Sequence, residues 1–377
     1  MLTWEYPPYK VGGIAAHCAD LSSALVEQGH DVRVVAYGEE EKVESYQGVQ
    51  IHRVPSTDNA TDTLSWSTYL GHEMKNKAIE LHKKEKFDLV HAHDWMAVPG
   101  ASGIKKLLDI PMVFTVHSTQ RGRDGINSRY QKAINDVEWY GTYEAKEVIT
   151  VGRKLQEEVQ GIFEVPSKKL RYIPNGVDFE RMENLKGDYR RNEYAKDWEK
   201  LVLFVGRLVK QKGVSHLINS MPSVLKRNPE AKFVFAGGGP VDYYRNKAKN
   251  LVGDKAHFTG FVPEEELKSL FSLADVTVAP SVYEPFGIVP LEAAACETPT
   301  VGSYVGGMRD TIVHEWTGLH SYPADPGSIS HQVSRVLNDL GWSEWMGENA
   351  KNRAKEKYDW NRIARKTSKA YRDAIED

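Results

Sequence analysis

The sequence predicts an α/β protein with two doubly wound parallel sheets. Short apolar segments of strand type alternate with amphipathic helical segments along most of the 377 residues. Strands that are separated by helices pair in parallel and carry the helices on the faces of the sheet. The alternation is interrupted once, at residues 180–199, and a chain of this length is long enough for two domains with separate cores.

The first run of alternation occupies the first half of the chain. Apolar residues at helical spacing predict a helix, and they are Ile14, Cys18, Leu21 and Leu25. Strands are predicted at residues 32–36, 87–91, 112–116 and 147–151. Only three residues precede Trp4, so we expect either a very short first strand or a native chain that begins further upstream.

The second run begins after a polar segment without a sustained apolar face. We interpret residues 181–199 as an interdomain connection, which leaves a first domain at 1–180 and a second at 200–357. Strands are predicted at residues 201–205, 232–236, 256–259, 276–279 and 300–302, and only helices after Pro326. A last helix within 358–377 is expected to pack back on the first domain.

Composition and charge exclude several classes of protein. The formal net charge is -3 and no basic stripe with interleaved aromatic residues occurs, so nucleic-acid binding is not expected. The lysines of residues 72–86 are accompanied by glutamates and predict a solvated helix face rather than a membrane surface. The two cysteines have no metal-ligand spacing and favour a reducing, cytoplasmic compartment. The oligomeric state stays open.

Three loops at predicted strand ends carry the candidate chemistry, because ligands of doubly wound sheets collect at the carboxyl ends of the strands. The first loop contains Lys10, Gly12 and Gly13 and precedes a helix. Two glycines allow a backbone to approach a diphosphate closely, and a helix N-terminus favours an anion. A simple strand-to-helix turn explains the glycine pair equally well.

The second loop follows the strand at 201–205 and contains Gly206, Arg207 and Lys212. Arginine offers a planar fork to phosphate oxygens, and lysine adds a compact positive charge. Fixed cations at this position stabilise a nucleoside diphosphate that leaves with negative charge. The alternative interpretation is a pair of solvated surface cations.

The third loop follows the strand at 276–279. Glu284 lies in the loop, and a helix is predicted to begin near Gly287 with Glu292 in its first or second turn. Free N–H groups at this helix start, those of Ile288 and Val289 among them, can bind phosphate. The two carboxylates suit sugar hydroxyls, although Glu292 can also serve only to offset the helix dipole.

These segments together resemble the retaining glycosyltransferases of family 4, with features of the bacterial glycogen synthases of family 5. Glu284 and Glu292 match the E-x7-E pattern, and the motifs Gly206-Arg207, Lys212-Gly213, Asn175-Gly176-Val177-Asp178 and Gly306-Gly307 also match. Three segments are similar to glycogen synthases, namely residues 10–13, 91–95 and 306–311. The sequence departs from those families at Phe286, where glycogen synthases usually have Cys, and at Asp310, where family 4 often has Glu.

The resemblance implies the GT-B fold, two Rossmann-like domains that face each other across a cleft. It also implies binding of the diphosphate by Arg207 and Lys212, of the ribose by Glu292 and of the donor sugar by Glu284. Lys10, Gly12 and Gly13 are expected to line the phosphate from the other domain. His117, which ends the strand at 112–116, is expected to contact the donor sugar, and His93 and Asp94 to lie on the acceptor side.

A metal site is the alternative interpretation of the histidines of the first half. His91, His93, Asp94 and His117 are metal-binding residue types, but their spacing matches no strong zinc pattern. We therefore expect no metal and no cofactor, and we expect His91 to be a core residue with satisfied hydrogen bonds.

The predicted activity is metal-independent transfer of a hexose, expected to be glucose, from an ADP- or UDP-sugar to a saccharide or small-molecule hydroxyl with retention of configuration. Residues 118–125 form either an acceptor loop or a mobile surface connection. A nucleotide-sugar 2-epimerase of the same fold and a catalytically silent nucleotide-sugar-binding protein are the two rival interpretations.

Overall fold

The computed structural model describes residues 1–57, 59–183 and 191–376. These residues form two units, the first made of residues 1–176 together with the final helix from Trp360, and the second made of residues 177–359. Part of the predicted connection, residues 184–190, lies outside the described residues. Its remainder from Arg191 onward belongs to the second unit, where the Arg191 guanidinium contacts the Asp275 carboxylate at 2.5 Å.

The first unit contains a sheet of eight strands among the described residues, in the order β3-β4-β2-β1-β5-β6-β7-β8. The strands are β1 (Leu2–Thr3), β2 (Arg33–Tyr37), β3 (Lys42–Tyr46), β4 (Val49–Val54), β5 (Val90–His93), β6 (Met112–Val116), β7 (Glu147–Thr150) and β8 (Leu170–Tyr172). All neighbouring strands except β3 and β4 pair in parallel.

The second unit contains a parallel sheet of six described strands, in the order β11-β10-β9-β12-β13-β14. The strands are β9 (Lys200–Val205), β10 (Ala231–Ala236), β11 (Ala256–Gly260), β12 (Val276–Ala279), β13 (Thr300–Ser303) and β14 (Gly318–Ser321). Together the two sheets confirm the predicted α/β class with two Rossmann-like domains.

The helices of the described residues are numbered in chain order. They are α1 (Gly13–Glu27), α2 (Thr63–Lys84), α3 (Val98–Leu108), α4 (Gln120–Asp124), α5 (Arg129–Glu144), α6 (Arg153–Phe163), α7 (Phe179–Glu183), α8 (Val214–Arg227), α9 (Val241–Val252), α10 (Glu264–Leu273), α11 (Val289–Ala295), α12 (Met308–Thr311), α13 (Pro326–Asn338), α14 (Leu340–Tyr358) and α15 (Trp360–Glu376). Among the described residues, no helix is both long and apolar enough to cross a bilayer.

Five strands differ from the sequence prediction, since β3, β4, β8 and β14 were not predicted and β5 begins later than predicted. The edge strand β3 pairs antiparallel with β4, and the two-residue turn between them places Gln47 and Gly48 at φ 47° and 78°. Such left-handed pairs match the twist of a hairpin. The strand β5 begins at Val90 rather than at residue 87, because the chain at Phe87 has only just left α2 and pairs with no neighbouring strand.

Each sheet has a topological switch point at its centre. In the first unit β1 lies between β2 and β5, and in the second β9 lies between β10 and β12. Chains that leave two such adjacent strands run to opposite faces, so a crevice opens at their carboxyl ends. The candidate loops at Lys10, Arg207 and Glu284 follow these central strands, and His93 is the last residue of β5.

The last helix, α15, completes the core of the first unit. Ile363 and Tyr371 of α15 share an apolar cluster with Leu21 and Leu25 of α1. Gly176 is the last residue of the unit before the chain leaves it, and a Cβ atom there would lie 2.5 Å from the Trp360 ring.

Candidate active site

Hydrogen bonds join the two candidate loops of the second unit. The Val282 N–H donates to the Gln211 carbonyl at 2.9 Å, and the Gln211 side-chain amide donates to the Tyr283 carbonyl at 3.2 Å. Close packing depends on Gly213, whose φ is +70° and whose added Cβ would lie 1.8 Å from the Pro280 carbonyl oxygen. The loops after β9 and β12 therefore form one surface.

Lys212 and Glu284 form an ion pair on this surface. Lys212 Nζ lies 2.6 Å from Glu284 Oε2, and the Ser281 hydroxyl donates to the same oxygen at 3.1 Å. The side chains are 24% and 15% exposed, so both polar heads remain accessible from solvent. A ligand phosphate and a ligand hydroxyl can approach the two charges together.

Arg207 lies at the exposed start of the same loop. Among the described residues its guanidinium has no hydrogen-bond or ion-pair partner, while its backbone carbonyl accepts from Val209 N–H at 2.9 Å. Gly206, just before it, has a φ of +141°, which turns the chain away from β9. The five donors of the arginine are thus available to an anion.

Glu292 lies in the first turn of α11, as predicted. The helix begins at Val289 with Ile288 as its N-cap, and Gly287 has a φ of +88°. α11 has seven residues, so its dipole is small. The proposed phosphate contacts of these N–H groups stay a prediction.

The Gly306-Gly307 pair fixes the backbone of Glu284. Gly307 N–H donates to the Glu284 carbonyl at 2.9 Å, and a Cβ on Gly306 would lie only 1.9 Å from that oxygen. The glycine motif matched by sequence therefore holds the backbone that carries the Glu284 carboxylate.

In the first unit the glycine loop is held by an acidic residue that the sequence analysis did not single out. The buried Glu5 carboxylate accepts from Val11 N–H at 2.8 Å and Gly12 N–H at 2.6 Å. Gly12 is thus the N-cap of α1 with its amide already bonded, whereas Gly13 and Lys10 lie exposed. In the sequence, the one indication of this contact was an acidic residue, Glu5, between β1 and the glycine pair.

Three histidines meet beyond the ends of β5 and β6. His93 ends β5, His117 follows β6, and His17 comes from α1, with one ring nitrogen of each within 4.8 Å of the others. Burial lowers the pKa of His17 to about 4 and those of His93 and His117 well below their usual value. All three rings are therefore neutral near pH 7. His17 was not predicted as a site residue, because nothing in its helical spacing marks it.

His91 is a satisfied core residue, as predicted. Its Nδ1 lies 2.7 Å from the Tyr371 hydroxyl and its Nε2 lies 2.7 Å from the Thr115 hydroxyl. Both nitrogens are thus occupied, and the metal-type cluster among the described residues contains His17 rather than His91 or Asp94.

Asp94 has a strained backbone. Its φ of 64° is uncommon for a residue with a Cβ atom, and its carboxylate accepts from Trp95 N–H at 2.8 Å. Burial raises the pKa of this carboxyl, while Arg123 opposes the increase. Strain of this kind concentrates at functional sites.

The predicted acceptor loop is an ordered turn around α4. The Gln120 N–H donates to both carboxylate oxygens of buried Glu138, at 2.8 and 2.9 Å, and Arg123 pairs with Glu138 at 3.2 Å. Burial raises the pKa of Glu138 to about 7. The loop is therefore anchored at its centre, which argues against a mobile connection.

Two family models match the chain and divide it near the boundary of the two units. "Glycosyltransferase Family 4" matches residues 11–181, and "Glycosyl transferases group 1" matches residues 186–353. Their order is that of the two sheets.

Relatives cover nearly the whole chain. An uncharacterised glycosyltransferase of Methanocaldococcus jannaschii is 43% identical over 385 residues, covering 100% of this chain and 98% of the relative. A glycogen synthase of Mycobacterium tuberculosis is 30% identical over 399 residues, covering 98% and 93%. The solved structure of sucrose-phosphate synthase from Thermosynechococcus elongatus superposes with a TM-score of 0.84 at 25% identity, covering 98% and 97%. The resemblance inferred from the motifs is thereby confirmed, and the chain belongs to the family 4 glycosyltransferases of the GT-B fold.

Proposed function

We propose that this glycosyltransferase moves a hexose, expected to be glucose, from ADP- or UDP-glucose to a saccharide or small-molecule hydroxyl with retention of configuration. The observation that carries the proposal is the joined surface of the second unit, where Lys212 and Glu284 lie 2.6 Å apart and exposed Arg207 belongs to the same loop as Lys212. It offers two cations to a diphosphate and a carboxylate to sugar hydroxyls. The glycogen synthase relative supports glucose as the sugar.

In the proposed reaction the bond from the anomeric carbon to the diphosphate breaks, and a bond to the acceptor oxygen forms on the same face of the sugar. The acceptor proton passes to an oxygen of the leaving diphosphate. Arg207 and Lys212 stabilise the charge that this oxygen develops, more in the transition state than in the ground state.

A covalent sugar intermediate is the alternative route to retention, and it requires a free carboxylate beside the anomeric carbon. Glu284 suits this role poorly, because Lys212 and the Ser281 hydroxyl already hold its Oε2. Its carboxylate is better suited to accept hydrogen bonds from sugar hydroxyls.

The positive charge of Arg207 and Lys212 takes the place that a divalent ion has in metal-dependent transferases. We therefore propose that transfer needs no metal. Activity that disappears in a chelator and returns with a divalent ion would contradict this part of the proposal.

The test begins with the donor. Thermal melting is compared with ADP-, UDP- and GDP-glucose, because a ligand that binds only the folded state raises the melting temperature by mass action. The donor that gives the largest shift is then incubated with saccharide acceptors, and the anomeric configuration of the product is read by NMR. A product of inverted configuration would refute the proposed reaction.

The two rivals give different results in the same assay. A 2-epimerase isomerises the donor when no acceptor is present, and a silent binding protein shows the thermal shift but neither transfer nor hydrolysis. The resemblance of the whole chain to named synthases favours transfer.

A further inference from the structure

The three buried histidines of the first unit form a cluster that the proposed reaction leaves largely unused. His17, His93 and His117 are 3%, 0% and 9% exposed, and they come from three different elements of the fold. His117 is expected to contact the donor sugar and His93 to lie on the acceptor side, whereas His17 has no role in the proposed reaction.

His17 is the unusual member. Among the described residues neither of its ring nitrogens has a hydrogen-bond partner, although a neutral imidazole carries one donor and one acceptor. The side chain of Asn175 lies beside the ring without a well-formed hydrogen bond to it, and the Asn175 carboxamide oxygen is also unpaired. Buried polar atoms are almost always paired, and a bound ion is one explanation for a ring whose two nitrogens are not.

The spacing of the nitrogens suits a metal ion. His93 Nδ1 lies 3.3 Å from His117 Nε2, which is long for a hydrogen bond between rings. Two nitrogens bound at about 2.0–2.1 Å to one tetrahedral zinc ion lie about 3.3–3.4 Å apart. A nitrogen of His17 lies within 4.8 Å of the other two. If rotation of its ring moves this nitrogen by about 1.5 Å or less, it reaches the separation expected of two zinc ligands.

We propose that His17, His93 and His117 bind one divalent transition-metal ion of the zinc class, with a fourth position open beside Asn175. Imidazole is a preferred ligand of zinc, copper and nickel, and three protein ligands with an open position are a common zinc arrangement. The site departs from the sequence-based expectation of no metal.

The ion is proposed as an inhibitor rather than a cofactor. This consequence rests on the proposed function, in which His117 contacts the donor sugar. A metal bound to His117 takes its nitrogen away from the sugar, so zinc lowers transfer while a chelator leaves it intact. The metal independence of the reaction and the presence of the site are therefore compatible.

The binding test uses the whole chain, stripped with a chelator, equilibrated with zinc and desalted. We expect about one zinc ion per chain and a rise in melting temperature. His17→Gln should weaken binding by at least about 100-fold, since even outer contacts of metal ligands contribute 10–100-fold. His72→Gln, at an exposed position of α2 in the same unit, is the matched control and should bind as the wild type does. Equal zinc retention by both variants, or none in the wild type, would overturn the proposal.

A second measurement does not depend on a variant that folds. Cobalt added to the stripped wild-type protein should give the intense visible absorption bands of tetrahedral coordination, and zinc should abolish them. Octahedral, weakly coloured cobalt would overturn the site. Inhibition is tested by comparing transfer with and without zinc. Transfer that zinc does not change would remove the inhibitory role. Zinc binding is measured without substrate, so that result would leave the metal site itself standing.

Discussion

Lys212 Nζ and Glu284 Oε2 lie 2.6 Å apart, so an ion pair joins the loop after β9 to the loop after β12. The pair is partly exposed, and such pairs contribute little to stability. In the proposed function the ion pair serves placement, because each charge holds the other in position.

Removal of the lysine tests this placement. Lys212→Ala should lower kcat by about 10²–10³, the usual cost of losing one donor to a developing oxyanion, with a melting temperature close to the wild type. Lys210→Ala is the matched control, because Lys210 is exposed in the same loop. Equal kcat values in the two variants would contradict a role of Lys212 in the reaction.

Removal of the Arg207 side chain is a second test of the positive charge offered to the diphosphate. Its guanidinium is exposed and unpaired among the described residues, so Arg207→Ala should change the free energy of unfolding by less than about 0.5 kcal/mol. The kcat/KM for the donor should nevertheless fall by about 10²–10³. A variant that is destabilised and still active would show that the side chain serves the fold instead.

Gly213→Ala tests the contact between the two loops. The residue has a φ of +70°, and the new Cβ would lie 1.8 Å from the Pro280 carbonyl oxygen. We expect the free energy of unfolding, measured with urea, to fall by about 1–3 kcal/mol, and we expect the donor to bind more weakly. Gly238→Ala is the control, because a Cβ there meets no atom within 4 Å and the stability should hardly change.

Glu5→Gln tests how the glycine loop of the first unit is held. The change removes the charge from two hydrogen bonds, of 2.8 and 2.6 Å, to Val11 and Gly12. Hydrogen bonds to charged groups contribute about 1 kcal/mol more than neutral ones, so the variant should melt lower and bind the nucleoside diphosphate more weakly. Glu39→Gln, at an exposed site, should do neither. Tighter binding by Glu5→Gln would mean that the carboxylate competes with the phosphate.

Acid should destabilise the first unit. Burial lowers the pKa of His17 to about 4 and those of His91, His93 and His117 well below the usual value. Below about pH 6.5 the unfolded chain binds protons that the folded unit does not, so the free energy of unfolding falls by up to about 1.4 kcal/mol per pH unit for each ring.

Two buried carboxyls oppose this trend. The pKa values of Asp94 and Glu138 are raised by burial, so their contribution to stability grows as the pH falls from about 7 toward their unfolded values. Because the four imidazoles outnumber the two carboxyls, we still expect a net decrease in the free energy of unfolding as the pH falls. Urea unfolding in chelator at about pH 7.5 and about pH 5.5 measures it, and equal stability at the two values would contradict the neutral histidine cluster.

The sequence was sufficient for the alternation of strands and helices and for the second-unit motifs, because both depend on local spacing. Strands that alternate with helices pair in parallel, so their carboxyl ends lie at the same edge of the sheet. The residues that follow these ends, Arg207, Lys212 and Glu284, were therefore expected to lie close together. The hairpin of β3 and β4 escaped prediction because its outer strand is polar and exposed at the sheet edge. Gln47-Gly48 was its local signal.

The first unit was harder to predict at its site. His17 lies 76 residues before its ring neighbour His93 (93 − 17), and only the packing of α1 beside β5 and β6 reveals the cluster. Glu5 was equally hidden, because a carboxylate that accepts backbone N–H groups has no periodic pattern. Long-range contacts of this kind are set by tertiary packing, not by local spacing.

The position of α15 has a consequence for synthesis on the ribosome. The second unit is one continuous segment, residues 177–359, whereas the first unit needs residues 360–376 to cover Leu21 and Leu25. Nascent domains usually mature from the N-terminus as they emerge. Here the N-terminal unit is translated first but completed only after the second unit, and its Leu21 and Leu25 surface stays uncovered until residues 360–376 have left the exit tunnel.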